Sequence, residues 1–197
     1  MNSGNKLVYQ ELCPAKFIRL YEEKRDSSEN VISKPAFEVL SLVVTAYDVL
    51  GDTEHELETI DEMFSIASEK KKPLVNLLKA AVLFNIGKIE EAERLFCQVQ
   101  SAKMDMITKM TSDMILKNDR AMALGDYATA EIYNKQLLQK TFPKKTPLSL
   151  LDIHFILSKI YYKTGRIQEA RFHCNYCVEH GGETVIKSEA ANMLKDL

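Results

Sequence analysis

Apolar residues recur at helical spacing along almost the whole chain. In the stretch from Leu74 to Phe84, Leu74, Leu77, Leu78 and Ala81 occupy positions i, i+3, i+4 and i+7, the stripe of one helix face. No segment sustains the alternation of a half-buried strand. The pattern breaks at Gly51-Asp52, Gly87-Lys88, Gly125-Asp126 and Gly165-Arg166, each between two amphipathic segments. A glycine just past a helix end takes a positive φ without strain, so each break reads as a turn between helices. The periodicity predicts a helix over 6–25, pairs over 35–50 and 54–70, 73–86 and 88–101, 103–124 and 126–141, 146–164 and 166–180, and a last helix over 183–195. Residues from Arg25 to Lys34 read as a linker. The segment before it carries Leu7, Leu12, Phe17, Leu20 and Tyr21 and is expected to cap the N-terminal end. The last helix carries Ile186, Ala190, Met193 and Leu194 on one face, as expected of a C-terminal cap.

The four glycines lie 36, 38 and 40 residues apart. A period in that range marks stacked supersecondary units. The flanking residues agree: Gly87-Lys88-Ile89-Glu90-Glu91-Ala92, Gly125-Asp126-Tyr127-Ala128-Thr129-Ala130 and Gly165-Arg166-Ile167-Gln168-Glu169-Ala170 align. Each has an apolar residue two after the glycine and an alanine five after it. A small residue there lets the second helix lie close to the first. The first repeat departs from this, with Glu56 at the alanine position.

With these residues the chain resembles the tetratricopeptide repeats, whose helix hairpins close on a turn of the type Gly-Asp-Tyr-x-x-Ala; Gly125 to Ala130 has that form. Tyr47 and Tyr161 match the tyrosine favoured four residues before the glycine, whereas Leu83 and Ala121 do not. The resemblance covers roughly Pro35 to Gly181. It implies an all-α fold, an antiparallel helix-hairpin solenoid of about four degenerate repeats with a capping helix at each end. The expected organisation is a single domain over 1–197: an N-terminal helix and linker over 1–34, repeats over 35–181 and a cap over 182–197. The resemblance also implies a concave groove lined by the first helix of each pair. Carried over by register, that groove holds Leu74, Leu77, Ala81, Phe84 and Asn85, then Ser112, Ile115, Asp119, Met122 and Ala123, then Asp152, Phe155, Lys159, Tyr162 and Lys163. Of these, Leu77, Phe84, Asn85, Asp119, Met122, Phe155, Lys159, Tyr162 and Lys163 are the partner-binding candidates. Leu77 and Phe84 have a competing reading, contact with a cap or an adjoining repeat. The cationic clamp that some family members use for a C-terminal carboxylate is not reproduced.

Composition narrows the function. The chain has 197 residues, 46% apolar and 27% charged, the balance of a globular protein. A net charge of −2 argues against a nucleic-acid binder and against a polybasic membrane anchor. The first residues lack the apolar core of a signal peptide, and no apolar run approaches the length of a membrane span. Four cysteines without a disulfide-like spacing point to a reducing, cytoplasmic setting.

Little reads as chemistry. His173, Cys177 and His180 fall near one helix face, and His173 with Cys177 would supply two zinc ligands. A third would have to come from elsewhere, with His154 the donor by inventory. Against this, Cys174 and Cys177 suit a small, buried helix face. A redox pair is not expected, because thiols in mid-helix lack the helix N-terminus that lowers their pKa. Gly181-Gly182-Glu183-Thr184 lacks the lysine of a phosphate loop. Glu22-Glu23 and Glu90-Glu91 are adjacent and point about 100° apart. Lys70-Lys71-Lys72 and Lys144-Lys145 fall at helix ends, where cations offset the dipole. The expectation is no enzyme, no metal and no cofactor: a scaffold or adaptor binding a protein or peptide in the groove, with self-association possible. The alternatives are a peptide-sensing regulatory domain that acts on a partner chain, and a metal-binding protein.

Overall fold

The structure is a computed structural model that describes residues 14–27, 36–139, 147–182 and 184–197. It is all-helical, and no strand occurs among the described residues. The helices are α1 (Pro14–Ser27), α2 (Phe37–Leu50), α3 (Thr53–Ile66), α4 (Lys72–Asn85), α5 (Ile89–Ser101), α6 (Met106–Ala123), α7 (Tyr127–Gln139), α8 (Pro147–Lys163), α9 (Ile167–His180) and α10 (Val185–Asp196). Most ends agree with the periodicity to within three residues. α3 is the exception and stops four residues early: Ala67 is extended, and the Ser68 carbonyl instead accepts from the Lys71 and Lys72 amides at the start of α4. The expected linker is shortened as well, because Arg25 to Ser27 are still helical. Leu7, Leu12, Cys13, Lys144, Lys145 and Glu183 lie outside the described residues.

The four glycine breaks have one geometry. Gly51, Gly87, Gly125 and Gly165 have φ of 73°, 76°, 73° and 74°. In each, the glycine N–H bonds the carbonyl three residues back, and the next N–H bonds the carbonyl five back: Asp52 to Tyr47, Lys88 to Leu83, Asp126 to Ala121 and Arg166 to Tyr161, at 3.0, 2.9, 2.8 and 2.8 Å. This pairing satisfies carbonyls that the first helix leaves open. The next helix starts at once. Asp52 and Asp126 accept from the amides of His55 and Thr129, capping α3 and α7. Ala92, Ala130 and Ala170, five residues after their glycines, are fully buried.

The chain groups into two compact units, residues 1–79 and 80–197, and the division falls within α4. In the first unit α1 packs on α2 through Ile18, Val43, Ala46 and Tyr47, with Phe17 and Tyr21 against them. The Tyr47 hydroxyl donates to Glu22 Oε1 at 3.1 Å. Glu56 is only 7% exposed at the position that alanine holds in the other hairpins. Burial, with the neighbouring Asp48 carboxylate, pushes its pKa up to about 8, so this acid keeps its proton at neutral pH.

In the second unit, Met114, Ala121, Ala130, Leu137, Ile153, Leu157, Ile160, Tyr161 and Ala170 form one core across α6 to α9. A second core joins Leu151, Phe155, Cys174, Cys177 and Ala190. Ile186, Met193 and Leu194 pack against it, so α10 covers α8 and α9 with the face that the sequence marked as a cap.

Successive hairpins are also stitched by charge. Asp61 of α3 pairs with Lys79 of α4, and Glu93 of α5 with Arg120 of α6. Glu131 of α7 accepts from Arg166 Nη1 through both oxygens at 2.9 Å. Pairs this open to solvent contribute only about 0–1 kcal/mol each.

Candidate functional site

The groove candidates divide by exposure. Asn85, Tyr162 and Lys163 are exposed, and Leu77, Met122 and Lys159 are half-buried. Phe84, Asp119 and Phe155 are buried. Phe84 is 1% exposed and meets Phe96 edge-on at 6.5 Å, so it belongs to the α4–α5 interior rather than to an open face. Phe155 is 6% exposed beneath α10. For Phe84 the burial agrees with the competing reading, contact with an adjoining helix, and for Phe155 it corrects the register-based placement on an open face. Lys159 is engaged as well: its ammonium lies 4.0 Å from the centre of the Phe155 ring and 3.6 Å from Glu189 of α10. Among the groove positions carried onto α8, Asp152, Tyr162 and Lys163 are exposed.

Asp119 is the unexpected member. Its Oδ1 accepts from Asn118 Nδ2 at 3.1 Å, and Asn118 Oδ1 in turn accepts from Asn134 Nδ2. Asn134 Nδ2 also bonds the Ala130 carbonyl at 2.8 Å, while its buried Oδ1 finds no hydrogen-bond partner among the described residues. Burial, with Asp152 nearby, pushes Asp119 up to about 7 against the lowering effect of the Asn118 bond. The α6–α7 hairpin therefore encloses a polar thread that ends in a buried carboxyl group whose pKa is raised by that burial.

The sharpest constellation lies between α8 and α9. His154 Nδ1 and His173 Nδ1 are 2.9 Å apart, and both rings are buried. The Tyr176 ring stacks on His154 at 3.7 Å and 14°, and His180 stacks on Tyr176 at 4.2 Å and 18°. Phe172 meets His173 edge-on at 5.1 Å, and Tyr161 lies 5.4 Å from the same ring. Burial lowers both histidines, His173 to about 4, with the charge of its partner as the next cause. Both imidazoles are therefore neutral at pH 7. One Nδ1–H donates to the other Nδ1 lone pair.

The sequence named His154 only as a spare donor, yet the fold brings it to His173. The signal was positional: counted outward from Gly165, His154 stands eleven residues back and His173 eight forward, on opposite arms of one hairpin. The proposed His173–Cys177 zinc pair is not what assembles. Cys177 Sγ points to the Leu151 carbonyl at 3.7 Å, and Cys174 Sγ contacts Met193 Sδ at 3.4 Å. No group of three or more His, Cys, Asp or Glu is placed to hold a metal ion among the described residues. Burial pushes the Cys177 thiol up to about 12 and also raises Cys174, so neither is a nucleophile in the closed fold. No helix among the described residues is long and apolar enough to cross a membrane.

Compared with protein-family models, with curated proteins and with solved structures, the chain finds no match.

Proposed function

We propose that this chain is a non-catalytic scaffold of tetratricopeptide-like hairpins that binds a protein or peptide on the inner face of its first helices. One observation carries the reading: the four glycine turns share a φ near +75° and the same pair of backbone hydrogen bonds. Repetition of one hairpin is the signature of stacked-repeat proteins, which bind partners along the surface of their repeats. The acid–base stitches between successive hairpins support the same stacking. The candidate nucleophiles and bases fit it too, because Cys174, Cys177, His154 and His173 are buried and engaged with one another's surroundings. In the second unit the ligand-facing residues are the exposed Tyr162 and Lys163 of α8. A flat aromatic ring next to a cation suits an extended or helical segment with an acidic residue.

A photo-crosslinking residue in place of Tyr162 tests this, with the same residue in place of the exposed Gln136 on α7 as the control. In cells, the Tyr162 position is expected to yield a discrete crosslinked protein that the Lys163→Glu substitution weakens. Equal crosslinking from both positions, or from Gln136 alone, overturns the placement of the binding face.

A further inference from the structure

The His154–His173 contact has a property that a hydrogen bond between other side chains lacks. Two imidazoles meeting Nδ1 to Nδ1 at 2.9 Å have room for one proton between them. A first added proton goes to the outer Nε2 of the donor ring and leaves the bond in place. A second would have to enter on the accepting Nδ1, where it meets an N–H head-on and makes two adjacent cations. We propose that this contact is an acid-released latch that holds α8 against α9 and keeps Cys174 and Cys177 sealed beneath α10. His173 and Cys177 are one helical turn apart on α9, and Cys174 adjoins His173 in sequence. Cys174 and Cys177 share their core with Leu151 and Phe155 of α8 and Ala190 of α10. Separation of α8 from α9 therefore opens that core directly.

The charges around the pair act in one direction. From α7, Lys135 lowers His173; from α9, a positive charge on His180 lowers His154 across the Tyr176 ring. Glu131 of α7, the acid on that side, is engaged by Lys135, Arg166 and the Tyr161 hydroxyl. On the α10 side, Glu189 pairs with Lys159. No carboxylate among these touches either imidazole, so the folded pair resists protonation while the open pair accepts it. The sign follows. Histidines lowered in the closed state favour closure fully above about pH 6.5, and that preference is lost as pH falls toward 4.

The test uses thiol labelling by a disulfide reagent active in acid, on full-length protein carrying Cys13→Ser. Exposed Cys97 serves as the internal reference for reagent and pH. For one proton taken up on opening, between an ordinary 6.5 and a closed value near 4, linkage gives a roughly twentyfold rise in the labelling of Cys174 and Cys177 relative to Cys97 from pH 7 to pH 5. The His154→Gln/His173→Gln variant is expected to show a flat ratio. A flat ratio in the wild type, or an equal rise in the variant, overturns the latch. Nitrogen NMR of the wild-type imidazoles is independent of whether the variant folds. At pH 7 it should find one ring protonated at Nδ1 and the other at Nε2, with His173 titrating well below 6.5 and His154 lowered in the same direction; two Nε2–H rings titrating near 6.5 overturn the proposal.

Discussion

The α2–α3 and α8–α9 hairpins are built on the same frame and respond to pH in opposite senses. Each closes on a glycine turn, and each has a tyrosine four residues earlier whose hydroxyl donates to a glutamate of the preceding helix: Tyr47 to Glu22 at 3.1 Å, and Tyr161 to Glu131 at 3.3 Å. Each tyrosine ring also carries a stacked basic group, His55 at 5.4 Å in one and Arg166 at 4.2 Å in the other. The interiors differ. The first hairpin encloses an acid that keeps its proton, Glu56, and the last encloses two bases that stay unprotonated, His154 and His173. Glu56 is raised above its ordinary 4.5, so its contribution is present below that value and fades as pH climbs toward 8. The histidine pair loses its contribution in the other direction, between about 6.5 and 4. The turn thus defines the hairpin; in the first the residue five positions on, Glu56, sets the pH response, whereas in the last, where that residue is Ala170, the histidine pair does.

Exchanging that residue should have the largest effect. Ala170→Glu puts a carboxyl into a fully buried position that alanine fills, and is expected to destabilise the second unit by about 4 kcal/mol through overpacking and a buried charge; urea unfolding at pH 7 reads it. The converse change is smaller. Glu56→Gln keeps the shape and removes the titration, so it should be near neutral at pH 5 and stabilising by about 3 kcal/mol at pH 9. A variant whose pH profile parallels the wild type would show that Glu56 is not the titrating group. Smallest are the shared features. Tyr47→Phe and Tyr161→Phe should each cost about 1 kcal/mol, and by similar amounts, because each removes one bond to a carboxylate. A large inequality between them in thermal unfolding would break the likeness of the two frames.

The repeat was legible because its marks are local. A glycine that needs positive φ and an alanine that needs a close neighbour both leave traces within six residues, as Gly125 to Ala130 shows. The capping stripe of α10 was legible for the same reason, since Ile186, Ala190, Met193 and Leu194 share one helix face. The site was less so. Register alone put Phe84 and Phe155 on an open surface, but their burial depends on Phe96 and on α10, partners that no spacing along α4 or α8 reveals. Glu56 was visible as a departure from the pattern; that it is buried and protonated follows only from the packing of α3 on α2. The His154–His173 bond joins residues nineteen apart on opposite arms of the Gly165 turn, and which ring faces which depends on the packing of α8 on α9, which helical spacing alone does not reveal.

The charge stitches bear on how such a chain lengthens. Glu93 and Glu131 each stand six residues after their turn glycine and each meets a base supplied by the following hairpin. The acid keeps its place in the repeat, whereas the base does not: Arg120 stands five residues before its glycine and Arg166 one residue after. A change in hairpin number would therefore preserve the joint only where the copied segment carries both an acid six residues after its glycine and a base within reach of the acid before it, as residues 120–131 do.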